Sequence, residues 1–154
     1  MITKYESIIV KTLGRLLAPF IQLFALYVIA HGHESPGGGF QGGVILGASF
    51  ILLAVVYGLD EARKRMPDKL MIALVAIGVF IYAGTGALCL LYGGNFLDYS
   101  KLPFPVGPAE ARALGILSVE IGVGITVMAV MLSIFLALAS HYKKLKTGRG
   151  EIQC

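Results

Sequence analysis

Long uncharged apolar runs separated by short clusters of charge make up the pattern of this chain. Eighteen uncharged residues separate Arg15 from Glu34, 25 separate Glu34 from Asp60, and 28 separate Lys69 from Asp98. A fourth run, residues 113–142, is 30 long and is interrupted by Glu120 and, near its end, by His141. About 20 apolar residues in a helix cross the hydrocarbon of a bilayer, and each run is near or above that length. In lipid only helices and closed barrels satisfy their backbones, and unbroken apolar runs of this length do not fit tilted strands. The pattern therefore predicts an all-α membrane protein with four transmembrane helices, near residues 12–31, 42–60, 69–93 and 109–142, in a single domain over residues 1–154.

Composition agrees: 56% of the residues are hydrophobic and 14% charged, with 13 Lys+Arg against 9 Asp+Glu. The basic residues are unevenly placed. Lys4, Lys11 and Arg15 precede the first span, Arg63, Lys64, Arg65 and Lys69 follow the second, and Lys143, Lys144, Lys146 and Arg149 follow the fourth. The other two connections hold only Lys101 and Arg112, so the positive-inside rule puts both termini in the cytoplasm and the loop of residues 31–43 outside. Residues 1–30 have the layout of a signal peptide, but a second apolar span follows at once, which favours a retained anchor. Cys89 lies within the third span and Cys154 in the tail, where thiols stay reduced, so no disulfide is expected.

The loop of residues 31–43, HGHESPGGGFQGG, holds the densest candidate chemistry. Glycine gives up more conformational freedom on folding than any other residue, so Gly37, Gly38, Gly39, Gly42 and Gly43 suggest backbone that needs positive φ or approach too close for a Cβ. His31 and His33, with Glu34 beside them, lack the spacing and ligand count of a zinc site, and no metal is expected. Two roles remain for the histidines: capping the end of the first helix, or lining a proton entry path, since imidazole titrates near neutral pH. A phosphate cradle is excluded because no Lys-Ser/Thr follows the glycines and no strand precedes them.

Glu120 is the other candidate. It lies roughly two helical turns, about 10 Å, inside the fourth span. A charge at the centre of a bilayer costs roughly 3 kcal/mol on insertion scales, so intramembrane acids face protein or water and are tied to proton or cation movement, or serve as hydrogen-bonded glue between helices. Small residues recur where helices could approach closely: Gly43 with Gly47, then Gly115, Ser118, Gly122 and Thr126, and more weakly Gly78, Ala83 and Ala87. These positions suit either internal packing or contact with other subunits. Residues 93–112, with prolines at 103, 105 and 108 and aromatics at 96, 99 and 104, read as an interfacial cap. No nucleophile, metal set or acid pair converges at one depth, so an enzyme is not indicated.

The segment from His31 through Gly32, His33, Glu34, Ser35, Pro36, Gly37, Gly38, Gly39, Phe40, Gln41 and Gly42 to Gly43 resembles the HGHxxPGGGFxGG signature of the MrpB-like (MnhB) family, a small membrane component of the Mrp-type sodium/proton antiporters. The same module occurs in archaeal membrane-bound hydrogenase and sulfur-reducing complexes. The acid followed by Ile-Gly-Val at 120–123 resembles that family's last span. The resemblance implies a non-catalytic, cofactor-free subunit in a prokaryotic cell membrane, assembled with other membrane subunits that exchange Na+ for H+, with no nucleic-acid partner. It makes Glu120, His31, His33 and Glu34 candidates for an ion path, and Gly32, Pro36, Gly37, Gly38, Gly39, Phe40, Gly42 and Gly43 candidates for packing or assembly. The alternative is a free-standing four-helix proton-coupled exporter; in the small multidrug family, however, the membrane acid lies in the first helix, and here that helix has none.

Overall fold

The structure is a computed structural model and describes residues 8–32 and 36–151. His33 and Glu34, Lys4 near the start and Cys154 at the end lie outside the described residues. The helices are α1 (Ile8–Ala30), α2 (Gly39–Tyr57), the short α3 (Leu59–Arg65), α4 (Asp68–Leu91) and α5 (Pro108–Glu151). Four of them, α1, α2, α4 and residues Pro108–Lys143 of α5, are long and apolar enough to cross a membrane.

The four long helices do not close into a symmetrical bundle. α5 packs between α2 and α4, and α1 packs on the far side of α2, which leaves α1 and α4 at the two ends of a row. Only a narrow stripe of α1 is buried, Gly14, Ala18, Ala25 and Ile29, and it faces α2. The rest of α1 presents Leu16, Phe20, Leu23 and Phe24 outward. An apolar exterior of this extent suits hydrocarbon or other membrane helices as its surroundings.

Small residues make the close approaches. A Cβ on Gly43 would lie 2.7 Å from the Gly124 carbonyl oxygen, and one on Gly47 would lie 3.5 Å from the Met128 backbone. On the other flank of α5, Gly78 of α4 and Gly122 back onto each other: a Cβ on Gly122 would come within 2.8 Å of the Gly78 carbonyl. Gly43, Gly47, Gly78, Gly122 and Thr126 are thus used inside the chain, between α2, α5 and α4, whereas Ala83 and Ala87 are exposed. The hydroxyls of Thr85, Ser118, Thr126 and Ser133 donate to carbonyls four residues earlier on their own helices, so these polar groups are satisfied without a partner helix.

The helix ends follow local chemistry. Gly38, at φ +114°, turns the chain into α2, which therefore starts at Gly39, inside the stretch expected to be loop. Gly58, at φ +92°, ends α2 and its N–H donates to the Ala54 carbonyl at 3.0 Å. The charge cluster after it forms α3 instead of a plain loop: Asp60 and Glu61 occupy its first turn and Arg63, Lys64 and Arg65 its last, matching the helix dipole at both ends. Leu59 anchors α3 in a core with Met71, Leu132 and Leu136. Lys143 donates to both carboxylate oxygens of Asp60 at 2.9 Å, tying α3 to α5, which runs nine residues past the expected end at Tyr142. Between α4 and α5 the chain folds back over the helix ends, placing the Phe96 ring on Gly86 and the Tyr99 ring on Gly115.

Candidate functional site

The glycine turn and Glu120 meet. Residues 32 and 38, on either side of the turn between α1 and α2, back onto each other, because a Cβ on Gly32 would lie 2.5 Å from the Gly38 Cα. The same Cβ would lie 2.5 Å from Glu120 Oε2, and a Cβ on Gly38 would lie 3.0 Å from Oε1. The carboxylate therefore rests in the hollow that the missing side chains leave. One residue on, a Cβ at Gly39 would lie 2.8 Å from both the Cα and the carbonyl carbon of Glu120, so the first turn of α2 presses on the α5 backbone at the acid itself.

These contacts account for the glycines one by one. Gly38 needs its positive φ, and Gly32 and Gly39 need the space. Gly42 lets α2 approach α1, where a Cβ would meet the Ala25 carbonyl oxygen at 2.8 Å, and Gly43 lets it approach α5. Gly37 is less confined, with Val28 Cγ1 3.2 Å from the point where a Cβ would stand. Pro36 is exposed, and Phe40 is 64% exposed, pointing away from the packed interior.

The Oε2 atom of Glu120 is shut off from solvent, although the residue as a whole is half-buried. The carboxylate sits at the amino-terminal end of α2, where unpaired N–H groups and the helix dipole favour an anion. That setting offsets part of the expense of holding a carboxyl group among apolar helices. Gly124, one turn further along α5, lies against α1: Ile29 comes within 2.9 Å of a Cβ placed there.

His31 caps α1. Its Nδ1–H donates to the Tyr27 carbonyl at 3.1 Å, its backbone N–H donates to the same oxygen at 3.1 Å, and the imidazole stacks on the Tyr27 ring with centroids 4.2 Å apart. This is the terminal-carbonyl role open to a histidine at a helix end, and it fixes which ring nitrogen carries the proton. His33 and Glu34, the other two candidates of the loop, lie outside the described residues.

Tyr99, which aromatic composition alone marked as an interfacial ring, belongs to the surroundings of the acid. Burial pushes its phenol above the ordinary tyrosine range, with Cys89, Tyr82 and the negative charge of Glu120 adding to the shift. Nothing in the local sequence around residue 99 signals this, because the proximity arises from the loop folding back onto α5.

Residues 9–133 match the family described as "Domain related to MnhB subunit of Na+/H+ antiporter". The chain belongs to the MnhB family. Among MnhB relatives, it is 32% identical over 141 residues to a putative antiporter subunit mnhB2 of Staphylococcus haemolyticus, covering 88% of this chain and 96% of that one. It is 31% identical over 134 residues to the B-type subunit of the Na(+)/H(+) antiporter of Bacillus subtilis, covering 81% of this chain and 92% of the relative. Two solved assemblies contain a similar chain. In the Mrp complex from Dietzia sp. DQ12-45-1b the TM-score is 0.55 at 29% identity, over 81% of this chain and 14% of the other. In the membrane-bound sulfane sulfur reductase, an archaeal respiratory membrane complex, it is 0.53 at 27% identity, over 82% of this chain and 60% of the other. This MnhB-family chain is thus a membrane protein of the antiporter-subunit class, which decides against the free-standing exporter.

Proposed function

We propose that this chain is a non-catalytic subunit of a multi-subunit Na+/H+ antiporter, and that Glu120 is a protonatable element of the ion path, held by the glycine turn. The observation that carries this reading is the meeting of the intramembrane acid with the turn: an oxygen of Glu120 shut off from solvent, at the positive end of α2, next to glycines that leave room for it. A carboxyl group kept at such a place exchanges a proton or a cation with little movement of the turn, because Gly32, Gly38 and Gly39 meet it with backbone. His31, His33 and Glu34 are the entry side of the same path, with His31 also closing α1. The termini face the cytoplasm and the glycine turn faces outside, in keeping with the distribution of Lys and Arg.

The likeness to the sulfane reductase chain supports a second setting, an antiporter-like module within a respiratory complex. Both settings need other membrane subunits, and the exposed faces of α1 and α4 suit them. The test is complementation. Vesicles from cells lacking this chain should lose sodium-driven proton movement and the other subunits should fail to copurify as one assembly, and both should return with the intact chain. Normal exchange without the chain would overturn the proposal. A cysteine in place of exposed Phe40 should react with an impermeant reagent added from outside; labelling only after the membrane is opened would reverse the orientation.

A further inference from the structure

α1 meets α5 where Ile29 comes against Gly124, and toward α3 the same two helices line a separate space. There the two helices, together with α2 and α3, enclose a cavity of about 330 Å³. Its polarity is graded along the membrane normal. Arg15, Tyr57, Glu61 and Arg65 line the end next to the charged connection, and Phe50 and Leu132 line the deep end. Arg15 has no ion pair among the described residues, while Arg65 is partly neutralised by Glu61 at 3.1 Å and lies over the Tyr57 ring at 6.0 Å. Pro19, also on the wall, removes the helical hydrogen bond that the Arg15 carbonyl would accept. Gln22 reaches the cavity roughly two turns, about 10 Å, below Arg15.

We propose that this cavity is a binding site for part of one anionic phospholipid, with the phosphate at Arg15, the upper part of one acyl chain running past Leu53 toward Leu132, and the other chain outside in the bilayer. The distribution is that of an amphiphile: cationic at the depth of the headgroups, an amide donor where ester carbonyls lie, and aliphatic below. Basic pockets between membrane helices are suited to acidic headgroups. The volume falls at the lower end of small-ligand sites and is smaller than two turns of a transmembrane helix of about 10 Å diameter. Lipid wedged between α1 and α5 would hold these helices at a set distance while leaving the site at Glu120 untouched.

The experiment is native mass spectrometry of the full chain released from detergent after exchange into phosphatidylglycerol or phosphatidylcholine of identical chains. One phosphatidylglycerol per chain should remain bound and phosphatidylcholine should not. Arg15→Gln should weaken retention about five-fold and the double variant with Arg65→Gln about thirty-fold, the ratios expected for one and two basic contacts. Arg15→Lys should keep it, and Lys64→Gln, a basic residue of α3 off the cavity wall, should leave it unchanged. Leu53→Trp should abolish retention by filling the cavity with both arginines intact. Equal retention of the two lipids, an effect of Lys64→Gln as large as that of Arg15→Gln, or full retention in Leu53→Trp would overturn the site. So would a cysteine at residue 53 that cross-links to another subunit of the assembled complex, since the occupant would then be protein.

Discussion

The carboxylate of Glu120 takes up the volume in which a Cβ of Gly32 would stand, 88 residues earlier in the chain, so the turn and the acid are parts of one structure. The glycines are a response to the side chain that lies over them, and to the helix that carries it.

Gly39→Ala should destabilise the fold by about 1–3 kcal/mol, the usual cost of forcing extra volume into a packed site, because the new methyl meets the rigid backbone of Glu120 and α2 must lift off α5. Gly84→Ala, where nothing lies within 4 Å of the added Cβ, should be neutral or stabilising by up to about 1 kcal/mol through helix propensity. Gly38→Val, at φ +114°, should lower the yield of assembled complex more than it changes sodium dependence. Thermal unfolding and complex yield check all three; equal behaviour of Gly39→Ala and Gly84→Ala would remove the case for close approach.

Gly32→Ala and Glu120→Ala should be non-additive. The single Gly32 variant collides with both the carboxylate and the Gly38 Cα, and truncating Glu120 relieves the first of these. The double variant should therefore be less unstable than the sum of the two by about 0.5–3 kcal/mol in a thermal-unfolding cycle. Strict additivity would mean that the two residues do not share the space described.

Much of this architecture is legible in the sequence, but unevenly. The spans follow from run lengths because lipid leaves the backbone few choices. The glycine loop and Glu120 stand out separately, each by a local rule, and no local rule joins residue 32 to residue 120. The second span is expected from residue 42, and α2 starts at Gly39 because close packing against α5 outweighs the entropy of that glycine. α3 carried a usable signal, acids then bases over one and a half turns, that a count of loop charges obscures. The small-residue stripes could not be divided between internal and external use, since Gly78 facing Gly122 is a matter of which helices are neighbours.

The pair Asp60 and Lys143 makes stability depend on acid. Hydrogen bonding and charge from Lys143 hold the Asp60 carboxyl below the ordinary carboxylate range. A group with a lowered folded-state pKa contributes stability above its unfolded value and loses it as pH falls through the folded one. Asp60→Asn should therefore reduce the drop in unfolding temperature between neutral pH and about pH 3. The effect should be small and fade with salt, because both side chains are exposed. An acid profile unchanged by the substitution would mean that the pair contributes nothing.

Tyr99 reports on the charge of Glu120. Its phenol is raised chiefly by burial and further by Cys89, Tyr82 and Glu120, so the proton should leave above the usual value near 10. The stability linked to it is complete below that value and is lost as pH rises through the folded pKa. Ultraviolet titration, with Tyr99→Phe identifying its component, should show Glu120→Gln bringing the midpoint part of the way down while the burial contribution stays. No movement would place the charge of Glu120 out of reach of the ring.

The most direct measurement is sodium-driven proton exchange in vesicles holding the assembled complex, scaled to the amount of complex, for the native chain and for Glu120→Gln. The amide keeps the shape that fills the glycine turn and cannot carry the proton, so assembly should be retained and exchange should fall by at least about a hundred-fold, the lower end of the range for loss of a positioned proton-transfer group. Exchange at the native rate with Gln at position 120 would contradict a protonatable role and leave the acid as a packing element between α5 and the turn.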